Sequence, residues 1–276
     1  MSRGRFQLEA VDPGADVIPG WNKVLNRSLP WFAAETEDQR CFAADLRCTV
    51  SDGHEVVGIA ERSHGQVLVA VDPAHRNKGL GTWLGELVDP GPPEPVTAFS
   101  YDPTDPAAQV LWRRHRLKPQ PGRPLVLWSL DTSGVSPPAG DVSVWRPDHA
   151  QDLDEIRQAV RWWATDNDID EDGVRAWQEG LPGELVTTVA REAGRVVGVA
   201  WAQPIPFTDL WRSTHLAVSP EHRGRGLGLA LKRGQAVHAA SCGARGLVTQ
   251  IDANSRANAI WLSLGGQRRD LPGLAR

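Results

Sequence analysis

The sequence is short of the residues that mark secreted, metal-bound or membrane-spanning chains. Its three cysteines, Cys41, Cys48 and Cys242, are odd in number and fit no metal-ligand spacing. Neither a disulfide framework nor a metal site is expected; thiols in a reducing cytoplasm are. No apolar run approaches the ~18 residues of a membrane span. Arg3 and Arg5 begin the chain, but Glu9 and Asp12 interrupt any apolar stretch, so no signal peptide is expected. Neither sign of charge dominates: 30 Lys and Arg stand against 34 Asp and Glu, a net charge of −4. That balance argues against a general polyanion-binding surface and a nucleic-acid partner. There is one tyrosine, Tyr101, and one methionine, against twelve tryptophans.

What is present is globular. The chain has 276 residues, 41% hydrophobic and 23% charged, enough for two domains at about 150 residues each. The 27 glycines and 21 prolines imply many turns. An internal repeat is visible. Val69-Ala-Val-Asp-Pro-Ala-His-Arg-Asn-Lys-Gly-Leu-Gly81 matches Leu216-Ala-Val-Ser-Pro-Glu-His-Arg-Gly-Arg-Gly-Leu-Gly228. Further on, Ala108-Gln-Val-Leu-Trp112 parallels Ala257-Asn-Ala-Ile-Trp261 at nearly the same displacement. Two copies of one domain follow, at 1–133 and 140–276, joined by the Gly-, Pro- and Ser-rich segment Asp131–Gly140.

The second copy reads as a strand at Val142–Trp145, a helix carrying Leu153, Ile156, Val160 and Trp163, and a short helix over 171–179. Strands follow at Leu185–Ala190, Arg195–Ala202 and Ser213–Val218. A helix at Leu227–Ala240, a strand at Leu247–Ile251 and a helix at Asn254–Leu264 complete it. In the first copy, Asp89-Pro90-Gly91 cuts the corresponding helix short.

Arg223-Gly-Arg-Gly-Leu-Gly228 follows a strand and opens a helix. Free N–H groups at a helix N-terminus favour anions, and glycines at 224, 226 and 228 let the backbone fold closely round a phosphate. Arg223 and Arg225 add charge, which points to a pyrophosphate. The alternative is a glycine turn that binds nothing, and its recurrence at Arg76–Gly81 argues against that. A Walker A loop is excluded by the missing Gly-Lys-Ser/Thr. A Rossmann turn is disfavoured by the glycine spacing and by its place after the fourth strand.

Arg223-x-x-Gly226-x-Gly228 and Arg76-x-x-Gly79-x-Gly81 resemble the coenzyme A pyrophosphate loop of the GNAT acetyltransferases. The element order is also similar to that family's fold, and Asn254-x-x-x-Asn258 with Leu264-Gly265-Gly266 is similar to its last motif. The resemblance implies an α/β (α+β) chain of two tandem domains, each a mixed, mostly antiparallel sheet flanked by helices. This plan is similar to that of mycothiol synthase and other actinobacterial tandem acetyltransferases. It implies acetyl transfer from acetyl-CoA to an amine of a small molecule or peptide. Leu216, Ala217 and Val218 would hold the pantetheine arm, with one of their N–H groups on the thioester oxygen. Arg223, Gly224, Arg225, Gly226, Leu227 and Gly228 would hold the pyrophosphate, with Asn254 and Asn258 near the arm. In the first copy Val69, Val71, Arg76, Asn77, Lys78, Gly79, Leu80 and Gly81 correspond.

Amine acylation needs a base. The strand Trp211–Val218 has no acid, so His215 is the first candidate because imidazole titrates near neutrality, with Asp209 and Glu184 behind it. The alternative for His215 is a packed strand histidine. The family often places a tyrosine in the last helix; here Trp261 stands in that place, and Trp112 in the first copy. Indole supplies no proton, which leaves water to protonate the thiolate. Trp162, Trp163 and Trp177, with Asp166 and Asp168, suit a cationic acceptor. They equally suit core packing and a helix start, since Asp168-x-x-Glu171 is a capping-box-like pattern. Asp168-x-Asp170-x-Asp172-Gly173 also satisfies a calcium-loop pattern, but Arg175 and Gly180-Leu-Pro182 argue against it. The second copy is expected to be the catalytic one. Acyl-CoA binding without turnover, as in a sensor, and a nucleotide-dependent enzyme remain open.

Overall fold

A computed structural model describes residues 2–12, 18–30, 44–63, 66–89, 91, 97–98, 106–114, 116–119, 125–145, 152–167, 169–172, 174–175, 185–271 and 274–275. The first half contains β1 (Ser2–Arg3), β2 (Phe6–Val11), α1 (Trp21–Ser28), β3 (Leu46–Asp52), β4 (Glu55–Ser63) and β5 (Gln66–Val71). It continues with α2 (Leu80–Val88), β6 (Thr97–Ala98), α3 (Pro106–Arg114), β7 (Lys118–Pro119) and β8 (Leu125–Asp131). The second half contains β9 (Asp141–Val144), α4 (Leu153–Asp166), β10 (Val186–Glu192), β11 (Arg195–Pro204) and β12 (Leu210–Val218). After these come α5 (Leu227–Ser241), β13 (Gly246–Asp252), α6 (Ala257–Ser263), β14 (Gln267–Leu271) and β15 (Leu274–Ala275).

The strands form two mixed sheets. The first runs β1-β2-β3-β4-β5-β6-β15-β7 and the second β14-β8-β13-β12-β11-β10-β9. Pairing is antiparallel except for β5 with β6 and β12 with β13. Sheet membership crosses the linker in both directions. β8, which precedes the linker, pairs with β13 along its whole length and with β14 on its other side. β15, at the C-terminal end, pairs with β6 and β7 in the first sheet. Each half therefore gives its last strand to the other's sheet, at the same place in the order. Strands β8, β14 and β15 have no counterpart in the element order read from the sequence.

The second sheet is covered on both faces. Successive residues of a strand face opposite ways. Val199, Trp201 and Ala217 accordingly pack with Ile156, Ala159, Val160 and Ala164 of α4, while Ala200 and Ala202 meet Leu231, Ala236 and Ala239 of α5. Two covered faces explain why β11 is buried continuously rather than alternately. The predicted helix over 171–179 is helical at 171, 172, 174 and 175, with Val174 buried against α4; 173 and 176–179 lie outside the described residues. Proline at 90 follows the last turn of α2, which spans nine residues against fifteen for α5. Among the described residues no helix is long and apolar enough to cross a membrane.

Candidate functional site

The site is built where β12 parts from β13. The two strands pair only over Leu210↔Gly246, Trp211↔Leu247 and Arg212↔Val248; past Arg212 no strand among the described residues pairs with that side of β12. Against β11 the register shifts. Ala202 faces Ser213, but Ala200 faces Leu216, so Thr214 and His215 both lie opposite Trp201. This is a β-bulge, and its extra residue changes which face the following side chains take. Ser213 and Leu216 look toward α5; His215 and Ala217 look toward α4. The N–H of Ser219 donates to the Val197 carbonyl at 2.9 Å, which sets the phase of the ladder. Ala217 then exchanges bonds with Val199. Leu216 and Val218 turn their N–H and C=O groups toward the side that β13 has left.

His215 stands edge-on to Trp163 of α4, ring centres 4.3 Å apart, and 6.4 Å from Trp201. Burial, then the charges of Lys232 and Arg212, push its pKa down to about 3. The expectation that this ring titrates near neutrality is thereby corrected: it is neutral throughout the working pH range and a weak base. Trp162 is half-buried against the same cluster.

The loop after β12 closes a 3-10 turn (Pro220–His222) and enters α5 at Gly226. Gly224 and Gly226 have φ of 75° and 81°, which L side chains rarely adopt. A Cβ at either would meet no atom within 4 Å. The loop thus presents bare backbone to open space, at a helix N-terminus with no side-chain cap. The first intrahelical bond shown there is from Ala230 N–H to the Gly226 carbonyl. Asn77 and Gly79 repeat the conformation in the first half, at φ 62° and 77°. The two halves differ in the strand before the loop: β5 pairs with β4 in unbroken register from Ser63↔Gln66 to Gly58↔Val71 and has no bulge.

The two loop arginines act partly as struts. Arg223 Nε donates to the Val218 carbonyl at 3.0 Å, and Nη2 meets Asp166 Oδ2, at the end of α4, at 2.9 Å. Arg76 likewise ties the Val71 carbonyl to the Ser28 carbonyl at the end of α1, both at 3.4 Å. Arg225 faces Glu192 at 3.4 Å, and Lys78 donates to the Ala74 carbonyl. Leu227 and Gly228 form the first turn of α5, with a Cβ at Gly228 falling 2.9 Å from Ile260 Cδ1. Val69, Val71, Leu80 and Gly81 occupy the matching places round α2.

Other expected residues lie elsewhere. Asp209 pairs with Arg245 at 3.1 Å at the closed end of the β12–β13 junction. At about 3.3 Å per residue, that is well over 10 Å along β12 from the bulge. Asn254 is exposed. Asn258 Nδ2 donates to the carbonyls of Asp252, Ala253 and Ser255, and its Oδ1 accepts from Trp128 Nε1 at 2.7 Å. Its amide is spent bracing the loop before α6. Helix α6 begins at Ala257, three residues after Asn254. Trp261 is fully buried. Glu184, Asp168, Trp177 and Tyr101, and the side chain of Trp112, lie outside the described residues. No group of three His, Cys, Asp or Glu side chains is placed to hold a metal among those described. Sequence reasoning missed Lys232, Ser213 and Gln235, a buried polar cluster behind the bulge. The signal was available: Lys232 falls between Leu231 and Gln235 on the helix face that packs on the sheet.

The sequence model of the acetyltransferase (GNAT) family matches residues 146–265. No curated protein sequence matches the chain. Among solved structures, a GCN5-related N-acetyltransferase from Sphaerobacter thermophilus is 18% identical with a TM-score of 0.55, covering 100% of this chain and 96% of its own. A tandem GNAT protein from the clavulanic acid biosynthesis pathway is 17% identical, TM-score 0.56, over 98% of both chains. A GNAT-family acetyltransferase from Colwellia psychrerythraea is 13% identical, TM-score 0.63, again over 98% of both. At such identities the likeness is one of fold, and it extends over both halves.

Proposed function

Because the sequence model of the acetyltransferase (GNAT) family matches residues 146–265, we propose that the second half is a domain of that family and transfers acetyl from acetyl-CoA to an amine of a small molecule or peptide. The observation that carries this is the conjunction of an open, bulged β12 with an uncapped helix N-terminus at its end. The residues suit the cofactor. The backbone N–H groups from Gly224 to Leu229 offer an anion nest for the pyrophosphate. Leu216 and Val218 offer outward-turned N–H and C=O groups to the amide-bearing arm. Leu216 N–H is the donor for the thioester oxygen, where fixed dipoles act most strongly on developing charge.

In the reaction a C–N bond forms as the C–S bond breaks; the amine loses a proton and the departing thiolate gains one. The acceptor enters from the α4 side, past Trp162, Trp163 and Asp166. His215 stays neutral there, so it accepts a hydrogen bond from the amine without storing its proton, which passes to water. Trp261 is buried indole at the place of the family's tyrosine, so water also protonates the thiolate. The first half keeps the loop but has no bulge, which supports a structural role for it. A cytoplasmic setting, where acetyl-CoA is available and thiols such as Cys48 and Cys242 stay reduced, accompanies this reading.

Calorimetric titration with acetyl-CoA tests it. One site per chain is expected, abolished by Gly226→Trp, which fills the nest. A site that survives this change belongs to the first loop, and no binding at all overturns the reading. Binding without acetyl transfer to any of a panel of amines supports the sensor alternative, which the missing tyrosine favours.

A further inference from the structure

The cleft between β12 and β13 has a far wall that rests on the first half. β13 pairs with β12 over three residues and with β8 over seven, from Gly246↔Asp131 to Asp252↔Leu125. Where β12 departs, β13 therefore stays aligned with a strand that precedes the linker. In the middle of β8, opposite Thr249, stands Trp128, 2% exposed. Its indole Nε1–H donates to Asn258 Oδ1 at 2.7 Å, across 130 residues of sequence.

That one bond decides how Asn258 faces. A side-chain amide has an acceptor end and a donor end, and an indole N–H only donates, so Oδ1 must lie toward Trp128. The Nδ2 end is thereby turned to the chain that leaves β13, where it donates to the carbonyls of Asp252 at 3.0 Å and of Ala253 and Ser255 at 2.9 Å. A flipped amide would set donor against indole and oxygen against three carbonyls, leaving part-buried polar atoms unpaired. Held this way, the loop fixes the start of α6. Ile260 of that helix reaches the first turn of α5: a Cβ on Gly228 would fall 2.9 Å from its Cδ1. Trp128 is itself held, since a Cβ on Gly266 would fall 3.1 Å from its Cε3. Indole, amide, loop and α6 thus form one chain of contacts from a strand of the first half to the glycine loop of the second.

Resting on the acetyl-transfer reading, we propose that Trp128 is a positioning residue lent by the first half to the site of the second: through Asn258 it fixes the loop after β13 and the start of α6, and so holds the wall against which acetyl-CoA binds. It touches neither substrate; it acts through the amide. The first half then has a part in binding that does not depend on its own loop.

The test compares wild type with Trp128→Phe, which keeps a ring in the core and removes the N–H, and with Val126→Ala, which opens the same core on the same strand and leaves the Asn258 bond intact. Both lower the urea midpoint, so stability does not separate them. Acetyl-CoA affinity is read by calorimetry, and hydrogen exchange by NMR in 15N-labelled protein. Trp128→Phe is expected to weaken acetyl-CoA binding at least threefold. It is also expected to speed exchange at least tenfold at the Ser255 and Asn258 amides, whose bonds to the Asp252 and Ser255 carbonyls close the loop; these are the sizes that follow when a hydrogen bond is lost and its partner left unsatisfied. Val126→Ala is expected to stay within threefold of wild type in both readouts. Binding by Trp128→Phe within threefold of wild type, or an equal loss in Val126→Ala, overturns the proposal. If Trp128→Phe does not fold, wild type alone decides, because coupling is reciprocal: acetyl-CoA is expected to slow exchange of the Trp128 indole proton and of the Ser255 and Asn258 amides at least threefold, and unchanged rates overturn the proposal. If wild type binds no acetyl-CoA, the proposed function falls instead, and exchange at Ser255 and Asn258 in Trp128→Phe still decides whether Trp128 holds the loop.

Discussion

Lys232 governs how stability follows pH. Burial pulls its pKa from the ordinary 10.5 to about 7. Between those values the unfolded chain binds the proton that the folded chain has released, so this group makes stability rise with pH across the window of about 7 to 10.5. In urea titrations at a series of pH values, wild type is expected to gain stability from pH 7 to 10, and Lys232→Met to show a flatter profile with a higher midpoint at pH 7. An equal slope in both would refute the assignment. A second prediction concerns Asp166, whose carboxylate pairs with Arg223 at 2.9 Å, a pair that a phosphate on the loop would have to compete with. Exposed pairs are worth about 0.2–1 kcal/mol, so Asp166→Asn should tighten acetyl-CoA binding up to about fivefold; weaker binding would show that the pair orders the loop instead. At this scale the sequence was informative about identity and silent about surroundings. It pointed to His215, and the structure places that side chain on the α4 side of β12. It could not show the burial of the ring or its neighbours Trp163, Trp201 and Lys232, because those come from α4, β11 and α5; of the groups that lower its pKa only Arg212 shares its strand.

Among elements, glycine made the loops legible. A left-handed turn ahead of a helix has few sequence solutions, and the second copy uses Gly224 where the first uses Asn77. The bulge was illegible because it is a relation between strands: nothing within Trp211–Val218 states that Ala200 and Ala202 will meet residues three apart. The same holds for β8, whose alternation is readable but whose neighbours are not. Its junction with β13 gives a sharp test. A Cβ on Gly246 would fall 2.9 Å from the Leu130 carbonyl oxygen and 3.2 Å from Leu210 Cδ2, and a backbone atom within a ladder has little room to move. Gly246→Ala is expected to destabilise the protein by about 1–3 kcal/mol, the range for overpacking, read as a lower urea midpoint. An unchanged midpoint would mean that β8 and β13 separate freely.

For the molecule as a whole, the repeat announced two copies, and the structure adds that they are not independent. β8 brings Val126, Trp128 and Leu130 into the second core, β15 closes the first sheet, and Leu29 packs with Ile205, Val248 and Leu271 between the halves. A protease site inserted at 134–139, in the exposed linker, should therefore yield two fragments that stay together on gel filtration and part only in denaturant. Separation in native buffer would show that the exchanged strands contribute little.

The exchange also imposes an order on synthesis. The gap between β6 and β7 is filled by Leu274–Ala275, which follow every strand of the second sheet in the chain. The half that is translated first is completed only after the other. Until β15 has been made β6 has no neighbour on its far side, and until β13 and β14 have been made β8 has no strand to join.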